Sequence, residues 1–380
     1  MKQYLTLLAA TLLLMTGCDR GLNRPGAEGD CPIRFEVSAV EPETRAANAV
    51  NSESALRDVH VGVFASYTGK LTYENTTVSP DYMYNQEVMY TGGHWEYTPV
   101  KLWPNDANDY VSFFAYAPYE ANPAEGSASG IIGMSRSVDL GDPWINFRLP
   151  EFENQVDLLY AQRRKTEGGT VKYVSWLDQQ KLGWGEEPMH FVLKHALACI
   201  GDGVSVRMSD ALYTRMHTQQ VDIAFTNVTI NYRNLATKAR LVLRSADTPN
   251  WKEIISGELT CSRTYNSGAL DGSMKFVHTA TANPAAITLD SGNGLFYIPL
   301  QIAGTPRPVA DIYLTYTVSN RSGALFTDVA TASVQFGPAE AGTVQNFALT
   351  LNDDFNLEAT VVSPEEGISM PGAITPTPGF

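Results

Sequence analysis

Histidine, cysteine and basic residues are all scarce in this chain, and each shortage closes a class of function. The 380 residues include 6 His and 4 Cys, and 27 Lys and Arg stand against 41 Asp and Glu, a formal net charge of −14. Phosphate binding wants clustered Lys and Arg, so nucleic acid is excluded as a partner. A basic surface that hugs anionic lipid is excluded on the same ground. The histidines (His60, His94, His190, His195, His217 and His278) are scattered. His190 and His195 are the closest pair, and their differing parity puts them on opposite faces of a strand. They read as structural histidines, with a metal site as the alternative. No Gly-x-Ser-x-Gly elbow, phosphate-binding glycine loop or His-Glu-x-x-His is present. Carboxylate pairs such as Asp353-Asp354 and Glu186-Glu187 read as solvated loop residues, since glycosidase chemistry needs two carboxylates at a set separation. The expectation is a protein that is not an enzyme and has no cofactor.

Long apolar runs are missing too. After the N-terminus no stretch approaches the roughly 18–20 apolar residues of a membrane-spanning helix. The one early run, Tyr4 to Leu14, follows Met1-Lys2 and ends in Met15-Thr16-Gly17-Cys18. It is too short to span and fits the apolar region of a secretory signal. Its ending resembles the lipobox of bacterial lipoproteins, whose first mature residue is a diacylated cysteine; the alternative is an ordinary signal peptide preceding a cysteine. Buried acyl chains contribute about 0.8 kcal/mol per methylene, so two or more chains anchor stably where one holds weakly. Asp19 leaves the final leaflet open, because in some bacteria an aspartate there retains the protein at the inner membrane. With Cys18 lipidated, Cys31, Cys199 and Cys261 remain, and three thiols cannot all pair within one chain. Their spacing matches no zinc pattern. A Cys199–Cys261 bridge is one arrangement open to them, which sequence separation does not test.

What is present is apolar alternation. At 44% hydrophobic residues the chain has enough to bury two cores, and its length suggests two domains. Residues 18–30 are polar and rich in Gly and Pro, a flexible tether. Ile33, Phe35 and Val37 then alternate with Arg34, Glu36 and Ser38, the period-2 pattern of a half-buried strand. The polar linker Glu41 to Asn48 breaks it. A second run holds Val59, Val61, Val63 and Phe64, and Gly92-Gly93 joins Val88–Tyr90 to Trp95–Tyr97 as a hairpin. Tyr110 to Ala117 is a strand ended by Pro118. Phe147 to Leu149 and Asp157 to Ala161 are shorter extended segments, and the charged, glycine-containing stretch Arg163 to Glu187 is a candidate domain junction. Strand-like runs resume at His190–Leu193, Val221–Tyr232, Ala239–Arg244, Gly294–Ile302, Asp311–Val318 and Val344–Leu351, while Lys194 to Ile200 reads as strand or a short turn of helix. No long helical apolar stripe stands out. The reading is an all-β chain: signal peptide 1–17, tether 18–30, one sandwich over 31–185, a second over 186–355, and a tail over 356–380. Leu357 to Ser363 extends as one more strand. Beyond it four prolines argue against helix or central strand, leaving an unstructured tail or one ordered by a partner. The aromatics Trp95, Tyr97, Trp103, Tyr110, Phe113, Phe114 and Tyr116 read as core, with a sugar-stacking platform as the alternative.

An ordered set of short segments resembles the fimbrillin family, the donor-strand (type V) pilins and related surface lipoproteins of Bacteroides-like anaerobes. The segments are the lipobox; Glu43-Thr44-Arg45-Ala46; Val59 to Ala65; Trp95-Glu96-Tyr97 leading to Leu102-Trp103-Pro104; Phe113 to Pro118; Asp157 to Ala161; Phe191 to Leu197; and Phe296 to Leu300. The resemblance implies two transthyretin-like β-sandwiches in tandem, held at the outer membrane and cell surface through lipidated Cys18. It implies cleavage by a trypsin-like protease between Arg45 and Ala46, with Arg57 as the fallback, although Arg45 also reads as an ordinary loop arginine. The strand removed would take Ile33, Phe35 and Val37 out of a groove, which a strand of a neighbouring fimbrial subunit then fills by β-augmentation. Leu357, Ala359 and Val361 are the donor-strand candidates. The prolines that follow depart from a clean donor and keep an anchor or accessory subunit open. The competing reading is a lipoprotein adhesin that binds a host glycan or protein on the same scaffold.

Overall fold

The computed structural model describes residues 31–39, 52–151, 154–181, 187–254, 258–265, 275–283, 285–290, 294–300, 306–337 and 339–362; for 202, 253–254, 258–265, 275 and 290 it describes backbone alone. Cys18, Arg45, Ala46, the Cys261 side chain and the tail from 363 onward lie outside these residues.

The first half runs β1 (Phe35–Ala39), α1 (Glu53–Arg57), β2 (Val61–Gly69), β3 (Met83–Thr91), β4 (His94–Glu96), β5 (Tyr110–Ala117), β6 (Ile131–Met134), β7 (Trp144–Arg148), β8 (Leu159–Glu167), β9 (Thr170–Val174), β10 (Trp176–Gln179) and β11 (Met189–His195). The second half runs β12 (Ala198–Met208), α2 (Asp210–Gln219), β13 (Asp222–Ala236), β14 (Lys238–Val242), β15 (Asn250–Ile254), β16 (Glu258–Tyr265), β17 (Lys275–Phe276), β18 (Ile287–Asp290), β19 (Leu295–Tyr297), β20 (Val309–Asn320), β21 (Gly323–Gln335), β22 (Val344–Leu351) and β23 (Leu357–Val362). The chain is all-β, as the alternation implies.

Nine strands form the N-terminal sheet in the order β1-β11-β8-β5-β2-β3-β4, with β10 added on β5 and β9 on β8. Its central strand β5 is buried on both faces, as a covered central strand must be. Val111, Phe113, Ala115 and Ala117 enter one core, while Phe114 and Tyr116 enter the other. Gly62 of β2 is set by this packing. A Cβ there would sit 2.4 Å from the Tyr116 ring, and the Tyr116 hydroxyl donates to Asn85 Oδ1 at 2.7 Å. Gly92 and Gly93 take φ of +62° and +94° and join β3 to β4 in the two-residue turn their spacing predicts.

Two sheets make up most of the second half, β18-β12-β22-β23 with β19, and β16-β13-β20-β21 with β17. They share a core in which the rings of Tyr232 on β13 and Phe347 on β22 lie 6.2 Å apart. Along β13 the inward residues change parity, from Ile223 and Phe225 to Val228, Ile230 and Tyr232. An irregularity in the pairing with β20 between Phe225 and Asn227 resets the register and keeps the large apolar side chains inside. A fourth sheet, β15-β14-β7-β6, is built from both halves. Its Trp251 indole donates to the Ala196 carbonyl at 2.9 Å.

Two segments differ from their sequence reading. The charged stretch from Arg163 onward carries the rest of β8, then β9 and β10, so through Gln179 it is sheet rather than connection. A helix is also present where no helical stripe stands out. α2 runs over Asp210–Gln219, starts at Ser209, whose Oγ accepts from the Leu212 N–H at 3.1 Å, and ends at Gln220 in the left-handed region. Only Leu212 and Met216 are buried on it, one turn apart; two apolar positions are too few to read as a stripe. The ambiguous Lys194 to Ile200 is extended, ending β11 and opening β12.

Candidate functional site: the groove of the first strand

The alternation around Phe35 decides how β1 sits. Ile33, Phe35 and Val37 are buried and Arg34 and Glu36 exposed, as period 2 demands. β1 pairs in parallel with β11, with Phe35 opposite Met189 and Val37 opposite Phe191. The Phe35 ring stacks on Phe191 at 5.2 Å, lies 5.4 Å from Tyr97 and meets Phe113 edge-on at 6.0 Å. Aromatic neighbours at these separations add to the area already buried.

Among the described residues no strand pairs along the far side of β1. Hydrogen bonds on that side come from the segment after β4 and reach Cys31 and Ile33, just before β1. Ile33 N donates to the Lys101 carbonyl at 2.9 Å and Trp103 N donates to the Cys31 carbonyl at 2.8 Å. The Tyr97 hydroxyl donates to the Ile33 carbonyl at 2.8 Å. Burial pushes the Tyr97 phenol up to about 12, so it remains a donor at neutral pH. The sheet therefore curls until its first and last strands approach, and these three bonds close the seam. Beside the seam is a cleft of about 720 Å³ lined by Arg34, Glu36, Arg57, Tyr90, Trp95 and Val100. Arg57 ends α1, pairs with Glu53, and lies 4.6 Å above the Tyr90 ring.

The histidines separate as their parity predicts. His190 faces out and bonds Ser38 Oγ at 2.8 Å, tying β11 to β1. His195 faces in, its Nδ1 2.7 Å from Asp157 Oδ2. Among the described residues no group of three His, Cys, Asp or Glu is placed to hold a metal. Of the aromatic cluster, Trp103, Phe113, Phe114 and Tyr116 are core, while Trp95, Tyr97 and Tyr110 are half-buried. Cys199 is buried, and its thiol donates to the Ile200 carbonyl at 3.3 Å. Leu357, Ala359 and Val361 lie on β23, an edge strand paired antiparallel with β22, opposite Leu351, Leu349 and Phe347. Sequence reasoning named the three side chains of β1 but not the Tyr97 latch. The signal for it is the aromatic pair Trp95 and Tyr97 at the end of the sheet, and only the curl of that sheet brings the hydroxyl to Ile33.

No protein-family model matches the chain. In sequence it is similar to Fimbrium subunit Fim1C of Phocaeicola vulgatus, 28% identical over 180 residues, which is 44% of this chain and 46% of that relative. The match thus spans about half the length of the relative. In structure it is similar to a fimbrial protein from Bacteroides vulgatus, with a TM-score of 0.62 at 19% identity over 87% of this chain and 99% of that one. Both of these similar proteins are named as fimbrial. At 19% identity the structural likeness is one of fold, and within that fold β1 and its groove stand at one edge of the first sheet.

Proposed function

We propose that the protein is a structural or accessory subunit of a surface fimbria, exported as a lipoprotein through Cys18 and assembled by strand exchange at the β1 groove. The observation that supports this most is the construction of β1. A short strand is paired on one side only, its alternate side chains fill an apolar groove, and it is followed by the segment that holds Arg45. Cutting after Arg45 severs the strand from the chain that follows and leaves it held by its hydrogen bonds to β11, the seam and its packing in the groove. Its departure uncovers Phe191, Phe113 and Tyr97 together with the open edge of β11. An incoming segment with the same alternation restores both the hydrogen bonds and the apolar contacts, which is β-augmentation. Leu357, Ala359 and Val361 are the candidates for the segment donated to a neighbour.

Limited trypsin digestion of the purified precursor tests this reading. The expected result is one early cut, a new N-terminus at Ala46 and a ladder of multimers on gels run without boiling. Diffuse degradation that leaves only monomer argues against it.

A further inference from the structure

A second recess lies away from the β1 groove, on the side where β8, β9 and β10 meet the segment 243–250 that joins β14 to β15. The segment is fixed in place by several hydrogen bonds. Ser175 Oγ donates to the Ser245 carbonyl at 2.9 Å, Ser245 N donates back to Ser175 Oγ at 3.0 Å, and Gln162 Nε2 donates to Ser245 Oγ at 3.1 Å. Tyr173 N donates to Asp247 Oδ1, and Lys194 Nζ to the Asp247 carbonyl, each at 2.8 Å. Between these walls is a cleft of about 880 Å³ whose lining includes Arg163, Lys165, Arg244, Asp142, Asp178 and Thr248. A site held by its own hydrogen bonds loses little freedom when a ligand enters.

The three cations differ in how they are satisfied. Lys165 pairs with Glu167; Arg244 pairs with Glu74 and lies 3.8 Å from Asp142. Arg163 makes no ion pair among the described residues. Its guanidinium carbon lies 5.4 Å from the Trp176 ring centroid, and its Nε is buried with no acceptor. Its surroundings favour the neutral form through burial, opposed through space by Asp178 and Glu167. A half-buried guanidinium without a hydrogen-bonded carboxylate carries a desolvation cost that a fitted anion offsets, and its planar fork matches a carboxylate.

The rest of the wall distinguishes among anions. Asp142 and Asp178 repel a phosphate dianion, yet they accept hydrogen bonds from hydroxyls. Hydroxyl and amide groups of Ser175, Ser245, Thr248, Asn250 and Gln179 surround them. One uncommitted guanidinium among carboxylate acceptors and small polar groups suits a single negative charge on a polyol. We propose that this cleft binds a carboxylated sugar residue of a glycan, of the uronic or sialic acid type, with Arg163 receiving the carboxylate. The proposal stands apart from strand exchange, since no β1 residue lines the cleft.

Saturation-transfer NMR on the full chain, with D-glucuronate and N-acetylneuraminate as probes, tests it. Saturable binding of at least one is expected, with neutral galactose and inorganic phosphate binding more weakly. Arg163→Ala should weaken binding about tenfold or more, the effect of losing a charged hydrogen bond, while Arg163→Lys retains part of it. Thr248→Trp, at the exposed rim, blocks the cleft without touching Arg163 or the core and should abolish binding at an unchanged Tm. Absence of saturable binding by either sugar acid overturns the proposal. So does phosphate binding that exceeds the sugar acids, or sugar-acid binding unaffected by both Arg163→Ala and Thr248→Trp. None of these results bears on multimer formation after trypsin, so the two readings fail separately.

Discussion

Phe35 carries the β1 groove at the scale of single residues. It is 4% exposed and meets three aromatic rings at once. Removing such a ring deletes transfer free energy and leaves a cavity that the stacked Phe191 and the edge-on Phe113 cannot close, because each is held by its own strand. Phe35→Ala is therefore expected to destabilise the intact chain by about 3–5 kcal/mol, measured as a shift in the urea midpoint. Glu36→Ala on the exposed face should fall within about 0.5 kcal/mol of the parent. Equal effects at the two positions would show that β1 is not held by its apolar face. The alternation that singles out Phe35 is legible in the sequence. What was not legible is that Phe191, far along the chain, lies beneath it, since that contact depends on a parallel pairing between strands distant in sequence.

At the scale of the element, β1 is the strand on which the proposed assembly turns. β1 has strand hydrogen bonds on one side and three bonds at its seam, so it is attached far less extensively than β5, which pairs β2, β8 and β10. A chain lacking residues 31–39 should bind a synthetic peptide of residues 32–39 saturably, and the same peptide with Phe35→Glu should fail, as read by fluorescence anisotropy. Equal binding by both peptides would remove the groove from consideration. Other elements show where local patterns suffice and where they do not. The β3–β4 hairpin follows from two glycines, and β23 from the alternation of Leu357, Ala359 and Val361. β21 did not read as a strand because its residues are mostly exposed, with Leu325 at 52% and Val329 at 47%. It is fixed by twelve pairings to β20 rather than by an apolar pattern of its own. α2 escaped notice for the related reason that it buries only two side chains.

At the scale of the whole molecule the two halves are joined through shared structure. The larger core includes Phe64, Phe114, Tyr116 and Tyr160 of the N-terminal sheet with Ile230, Tyr232 and Phe347 of the C-terminal sheets. The β15-β14-β7-β6 sheet crosses between them, and Trp251 reaches the Ala196 carbonyl as well as the Phe147 ring at 6.3 Å. A core that is continuous in this way should unfold as a unit. Calorimetry of the full chain is expected to show one transition. Trp251→Ala should lower its Tm as a whole; two resolved transitions, with only one shifted by Trp251→Ala, would show the halves to be independent.

The sequence by itself determined the all-β class, the inward face of β1, the tight hairpin at Gly92-Gly93 and the opposite facing of His190 and His195. Each follows from a rule of period two or from backbone freedom, and such rules act between neighbours in the chain. Only the tertiary structure decided that β1 pairs in parallel with β11, that Tyr97 closes the seam on Ile33, that a sheet is shared across the two halves, and that Arg163 lines a cleft with no ion pair among the described residues. Those outcomes depend on which strands meet, and strand pairing is set by the summed burial of residues tens to hundreds of positions apart, which no local pattern encodes.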